Sequence, residues 1–107
     1  MGDSKVLPGV SPKAWACLSA FQRQVYRAIA AIPAGQVRTY GWVARRIRRP
    51  ASARAVGSAL HRNPFAPRVP CHRVIRADGT LGGYAGGLAQ KRRLLRREGW
   101  TGRVSGA

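Results

Sequence analysis

Three proline breaks cut the first two thirds of this chain into pieces long enough only for short helices or strands. Pro33 with Gly35, then Pro50, then Asn63-Pro64, each interrupt an apolar pattern. Proline removes a backbone donor and clashes with the preceding turn, so no helix runs through these points. The first piece opens on Ser19 and Gln22, a capping-box pair. Phe21, Val25 and Ile29 then recur every fourth residue, with Arg23 and Arg27 facing elsewhere. That is the spacing of a helix with one apolar stripe. Trp15 and Leu18 can dock just ahead of it. Residues 1 to about 12 mix Gly, Pro, Ser and charge and read as a loose arm.

A short polar connection or strand follows at 36–39. Thr39 can cap a second helix from about Tyr40 to Arg48, with Val43, Ala44 and Ile47 inward and Arg45, Arg46, Arg48 and Arg49 outward. Ser52 can cap a third, from about Ala53 to Arg62, whose apolar face is Val56, Ala59 and Leu60. Two short helices joined by a tight turn predict a helix-turn-helix. Ala51, Ser52, Ala53, Ala55, Gly57 and Ser58 keep part of the third helix small. Small side chains suit close approach to a nucleic-acid groove or close packing on another helix, and the pattern alone does not choose.

Beyond this helix, Pro64, Pro67 and Pro70 predict an extended, stiff segment. Val74-Ile75 and Thr80-Leu81 flank Ala77-Asp78-Gly79, a hairpin signal. Gly82, Gly83, Gly86 and Gly87 surround Tyr84 and permit unusual backbone shapes. Their spacing matches neither standard phosphate loop. A last helix is expected from about Gly87 to Glu98, with Leu88, Leu94 and Leu95 inward and Gly99 as its C-terminal cap. The expected fold is mainly α with a small β-hairpin, a winged-helix-like helix-turn-helix domain. The 107 residues fit one such domain. It divides into an arm at 1–18, the domain at 19–100 and a frayed tail at 101–107.

Charge narrows the partners. Twenty Lys and Arg stand against three Asp and Glu, a formal net charge of +17. Such a chain repels itself and calls for a polyanion. Arginine predominates, which suits bidentate phosphate contacts. Genome composition could favour Arg over Lys, but it does not account for the scarcity of acids. Nucleic-acid binding is therefore expected. No signal-peptide pattern or membrane-length apolar run is present, so no membrane partner is expected. Cys17 and Cys71 then belong to a reduced cytoplasmic protein rather than a disulfide framework. Cys71 and His72 are adjacent, and His61 and Cys17 lie at no recognised ligand spacing, so no metal site is expected.

The chemistry-bearing stretch is Val69-Pro70-Cys71-His72-Arg73-Val74-Ile75. A thiolate is a strong nucleophile whose fraction follows its pKa. A neighbouring imidazole and a positive surround both favour it. Pro70 presents the thiol from a stiff backbone. The plainer reading is a buried cysteine used as a small hydrophobe. Glu98 is the chain's sole glutamate and falls at a helix C-terminus, where the dipole disfavours it. Either it makes a surface ion pair, or it orients His72, which activates Cys71.

Taken together, these residues resemble the O6-alkylguanine-DNA alkyltransferases, the methylated-DNA–protein-cysteine methyltransferases. The resemblance spans about Phe21 to Gly99. It rests on Thr39-Tyr40-Gly41, Ala53-Arg54-Ala55-Val56-Gly57, Asn63-Pro64, Pro70-Cys71-His72-Arg73-Val74, Gly83-Tyr84-Ala85-Gly86-Gly87-Leu88, Leu94-Leu95 and Glu98-Gly99. It implies a protein that binds the minor groove of double-stranded DNA and flips an alkylated guanine into a pocket, since a stacked base is out of the thiolate's reach.

The family's roles then fall on particular residues. Cys71 is implied as alkyl acceptor, with His72 taking its proton through a water and Glu98 holding His72. Arg54 is implied to fill the hole left by the flipped base. Tyr40 would press on the neighbouring phosphate and help protonate the leaving guanine. Asn63 would brace the turn leading to the active site. Ser52, Ala53 and Gly57 would lie along the DNA. Tyr84, Ala85, Leu60 and Val74 would shape the pocket, with Lys91 supporting it. The carbonyls of Cys71 and Val74 would read the exocyclic amine.

The resemblance implies single-turnover transfer by a monomer that needs no cofactor and no metal. Ala85 departs from members with serine there, and slower or differently selective transfer is expected. About 20 residues precede the first matched helix. The amino-terminal domain of many members, which carries zinc in those that bind it, is not represented, so no zinc is expected. Two other readings remain. One is an alkyltransferase-like lesion sensor, a class that typically carries tryptophan in place of the cysteine. The other is a plain helix-turn-helix regulator, which leaves Cys71, His72 and Glu98 unexplained.

Overall fold

The computed structural model describes residues 6–84 and 86–102. The expectations for Ala85 and for the end of the tail lie outside the described residues. In order, the chain forms α1 (Pro12–Ala16), α2 (Ala20–Ala30), β1 (Arg38–Thr39), α3 (Tyr40–Arg46) and α4 (Ala53–His61). A 3-10 turn (Cys71–Arg73), β2 (Val74–Ile75) and α5 (Leu88–Arg97) follow. It is a mostly helical fold with one small sheet.

Local chemistry sets the helix starts. Ser19 Oγ accepts from the Gln22 amide at 3.1 Å, and Gln22 Oε1 accepts from the Ser19 amide at 2.9 Å. Thr39 Oγ1 accepts from the Trp42 amide at 3.0 Å. Ser52 makes no such bond: its ψ of 18° departs from the extended geometry that lets a cap reach inward. Helix α3 ends at Arg46, earlier than the periodicity predicts. The Arg48 amide donates to the Arg45 carbonyl at 2.9 Å and the Arg49 amide to the Ala44 carbonyl at 2.8 Å. This is the Schellman closure, with Arg48 at φ 63°.

Val25, Tyr26 and Ile29 of α2 pack against Val43 and Ala44 of α3 and Val56 and Leu60 of α4. The Tyr26 hydroxyl donates to the Ala59 carbonyl at 2.6 Å, which fixes α4 on α2. The stretch read as a loose arm joins this core from residue 6 onward. Trp15 is 2% exposed, Val10 is buried, and Val6 and Leu7 pack on the same cluster. Burying Val10 and Trp15 and partly covering Val6 and Leu7 outweighs ordering the short segment that carries them.

Two further expectations are corrected. Asp78 does build a reversal, with the Arg76 amide donating to the Thr80 carbonyl at 3.0 Å and Asp78 Oδ1 accepting from the Thr80 amide at 2.9 Å. The strands do not form a hairpin, however. Leu81 turns its carbonyl to Lys91, and β2 pairs in parallel with β1, Arg38 opposite Val74 and Thr39 opposite Ile75. Both β2 residues are fully buried, as suits a strand covered on both faces. Segment 64–70 is not extended. Asn63 Oδ1 accepts from the Phe65 amide at 2.9 Å and its Nδ2 donates to the Val69 carbonyl at 2.7 Å. This side-chain competition coils the segment into turns.

Helix α5 buries Leu95 and Lys91, while Leu88, expected inward, is 51% exposed. Leu88 starts the helix beside the glycine segment, which has few side chains to pack on. At the far end the Gly99 amide donates to the Arg96 carbonyl and the Trp100 amide to the Leu95 carbonyl, each at 3.0 Å. Gly99 takes the left-handed φ of 89° that this closure requires. No described helix is long and apolar enough to cross a membrane.

Candidate active site

A cavity of about 650 Å³ opens between the start of α3, one side of α4, the 3-10 turn and the glycine segment. Tyr40, Ala53, Arg54, Gly57, Leu60, His61, Cys71, Arg76, Gly83 and Tyr84 line it. The size suits a small-molecule or single-base ligand. Of the residues singled out in the sequence, Tyr40, Ala53, Arg54, Gly57, Leu60, Cys71 and Tyr84 meet on this wall. His72, Glu98, Asn63, Val74 and Lys91 stand behind it, and Ser52 precedes it on the loop.

Cys71 is 6% exposed at the cavity floor. His72, fully buried, turns its Nε2 to Glu98 Oε2 at 2.9 Å. Arg73 holds the same carboxylate with two bonds, Nε to Oε1 at 2.9 Å and Nη2 to Oε2 at 2.7 Å. Its Nη1 donates to the Ile32 carbonyl at 2.7 Å. Glu98 thus pairs with Arg73, largely buried rather than at the surface, and at the same time bonds His72. A carboxylate only accepts, so the shared proton sits on His72 Nε2 and the lone pair on Nδ1. Nδ1 has no hydrogen-bond partner among the described residues. The Tyr84 ring stands edge-on to the His72 ring, with centroids 6.5 Å apart.

Burial decides the resting protonation. It pushes the Cys71 thiol above its ordinary pKa, while the Asn63 side chain, the Lys91 charge and its own backbone pull the other way and lose. The expectation of a thiolate favoured by its positive surround is therefore corrected: desolvation disfavours the charged form more strongly. Burial also lowers the His72 pKa, against the opposing pull of Glu98. Cys71 and His72 thus form a neutral thiol–imidazole pair near neutral pH. For Glu98, burial pushes upward, but the bonds from Arg73 and then His72 outweigh it and hold the carboxyl below its ordinary range.

Lys91 is fully buried. Its Nζ donates to the carbonyls of Val74 at 2.8 Å and Gly83 at 3.3 Å, and also to that of Leu81. Burial lowers its pKa to about 8. One ammonium therefore ties β2 to the glycine segment along the back of the cavity. Gly82, at φ 72°, passes so close to Tyr40 that an added Cβ would lie 2.8 Å from the hydroxyl. Only glycine satisfies both demands. A Cβ at Gly57 would meet Tyr40 at an ordinary 3.9 Å, so helix packing does not require that glycine.

Sequence reasoning missed Arg73, His61 and Arg76. Arg73 was the most accessible of the three: it adjoins His72, and Glu98 is the one carboxylate a buried guanidinium could share. Among the described residues no three His, Cys, Asp or Glu gather closely enough to hold a metal ion.

The family model described as 6-O-methylguanine DNA methyltransferase, DNA binding domain, matches residues 20–100. The chain belongs to this family. A methylated-DNA–protein-cysteine methyltransferase of Salmonella typhimurium is 56% identical over 80 residues, covering 75% of this chain and 47% of that protein. The chain therefore spans about half the length of the curated relatives it matches. Mycobacterium tuberculosis OGT, solved in complex with DNA, superposes with a TM-score of 0.74 at 51% identity, covering 76% of this chain and 49% of that one. S. pombe Atl1, solved with damaged DNA containing O6-carboxymethylguanine, gives 0.69 at 38% identity, covering 77% and 78%. The methyltransferase-family fold thus accounts for the whole cavity wall, all of which lies within the matched residues.

Proposed function

We propose that this protein repairs DNA by moving the alkyl group of O6-alkylguanine irreversibly onto Cys71. The observation that carries the reading is Cys71 at the floor of a base-sized cavity, with His72 locked on Glu98 beside it. The base, flipped from the duplex, enters between α4 and the glycine segment while Arg54 fills its place in the stack. His72 Nδ1, through a water, takes the thiol proton. The thiolate attacks the alkyl carbon: the S–C bond forms, the C–O6 bond breaks, and its electron pair goes to guanine O6. The leaving base takes a proton from the Tyr40 hydroxyl or from solvent. The thioether product is stable and nothing in the site can reverse it, so each molecule acts once.

Glu98 has a defined part in this scheme. Its carboxylate stabilises the imidazolium that forms when Nδ1 is protonated. That gain exists after proton transfer and not before, so it lowers the barrier rather than strengthening the resting state. Asn63 braces the turn before Cys71, and Lys91 holds the cavity's back wall. The likeness to S. pombe Atl1 favours a second reading, a lesion sensor that binds without transfer. Cys71 is the feature against it.

Intact-protein mass spectrometry after incubation with a duplex carrying O6-methylguanine separates the two readings. One added methyl mapped to Cys71, and absent in Cys71→Ala, is the expected result. An unmodified protein that still binds the lesion would establish the sensor.

A further inference from the structure

Helix α3 ends in a turn that departs from ordinary backbone preference. Arg48 is the one residue other than glycine with positive φ among those described, at 63°. It occupies the C′ position of the Schellman closure, which favours glycine because a Cβ crowds the backbone there. Arg45, Arg46 and Arg49 flank it, and all four are exposed. None of them makes an ion pair among the described residues. Glu98 is held by His72 and Arg73, and Asp78 lies in its own turn bonded to Thr80. Arg46 and Arg48 also share the wall of a surface hollow of about 320 Å³ with Arg27 of α2. Four neighbouring like charges repel one another, and one of them sits on a strained backbone. No acidic group among the described residues compensates for that arrangement.

We infer that this arginine turn is a phosphate anchor for duplex DNA outside the lesion. The inference rests on the proposed DNA partner but not on alkyl transfer. Helix α3 rises about 9 Å from Tyr40 at the cavity to Arg46 at the turn. The anchor therefore lies away from the flipped base and takes phosphodiester groups on flanking nucleotides. Guanidinium forks suit such groups, and contacts of this kind carry no sequence information. Their contribution is counterion release, felt equally on damaged and intact duplex.

The test uses the full chain and two variants. Arg48→Gly relieves the backbone and removes one charge. The variant R45Q/R46Q/R48Q/R49Q removes all four. Affinity is measured against salt concentration on an intact duplex and on one carrying O6-methylguanine, with melting temperature recorded for each protein. For Arg48→Gly the expected result is a higher melting temperature together with a salt slope shallower by about 0.9, one contact's worth. Stability and binding thus move in opposite directions, which a folding defect cannot produce. The fourfold variant should lose at least about tenfold in affinity on both duplexes alike. An unchanged slope in Arg48→Gly and in the fourfold variant would overturn the anchor. So would a loss confined to the damaged duplex. If the wild-type chain transfers no methyl group while the slopes still fall, the anchor stands and the transfer reading fails.

Discussion

The region behind Cys71 and the outer surface from α3 to α4 are built on opposite principles. Behind Cys71, every charged group is spoken for: Arg73 and His72 share Glu98, and Lys91 is wrapped in backbone carbonyls. Along α3, the turn after it and α4, Arg45, Arg46, Arg48, Arg49 and Arg54 are exposed and make no ion pair among the described residues. The chain has three acidic residues, and it commits Glu98 to the chemical side. Chemistry needs a fixed tautomer and a fixed geometry, which bonded, buried groups supply. Duplex binding needs unsatisfied positive charge, and an internal partner would weaken it.

That contrast breaks most readily at His72. His72→Phe keeps the ring's shape and removes the base. Transfer should fall at least about 100-fold with binding to the damaged duplex retained, as read by the rate of methyl appearance on Cys71. A smaller loss would mean that the thiol ionises without help. Glu98→Gln is next in size. It leaves the Arg73 guanidinium without its counter-charge and should cost about 2 kcal/mol in denaturant unfolding as well as slowing transfer. Glutamine still accepts a hydrogen bond, so an effect on rate without one on stability would assign Glu98 to the imidazolium alone.

Acid acts on the same side. The folded pKa of Glu98 lies below its unfolded value. Its stabilisation is complete above the ordinary carboxylate range and is lost as pH falls through the folded value. His72 also has a lowered folded pKa. The folded state prefers it neutral, so its contribution is complete above about pH 6.5 and declines as pH falls from there toward the folded value. Stability should therefore fall in two stages on acidification, and Glu98→Gln should remove the lower one. At the other end, alkylation of Cys71 by iodoacetamide without DNA should rise only above the ordinary thiol range, because burial holds the thiol protonated.

The open side should respond in the reverse manner. Gly57→Ala removes a helix-interior glycine that packing does not need and should stabilise the fold by roughly 0.5–1 kcal/mol. The added methyl narrows the cavity mouth, so lesion binding should weaken. Arg54→Ala should leave stability within about 0.5 kcal/mol while reducing discrimination between damaged and intact duplex. Equal losses on both duplexes would reduce Arg54 to one more phosphate contact.

How far the sequence revealed these halves depends on the range of the interactions. The Ser19–Gln22 box, the Thr39 cap and the Gly99 closure are contacts within a few residues and were legible. Ser52 had the right chemistry but the wrong ψ. The parallel pairing of β1 with β2 was hidden because two-residue strands show no alternation to read. Leu88, expected inward, stands exposed, while Lys91, expected to support the pocket, takes the buried place on the same helical stripe. What decides between them is the set of Val74, Leu81 and Gly83 carbonyls, which accept from the Lys91 ammonium. The direction of the Cys71 shift was misread for a related reason: adjacent charge is visible in the sequence and depth of burial is not. Arg73's hold on Glu98 spans 25 residues and emerges only once α5 folds back on the 3-10 turn.

The parallel pairing carries a consequence for how this molecule forms. Arg38 meets Val74 and Thr39 meets Ile75, closing a loop of about 35 residues whose ordering entropy must be overcome first. Tyr40 directly follows β1 and Cys71 lies in the turn that leads into β2. No local stretch of chain can therefore assemble the reactive centre early. Thiol, base and hydroxyl come into register only once this long-range pairing has formed, so nascent or partly unfolded molecules lack the assembled site.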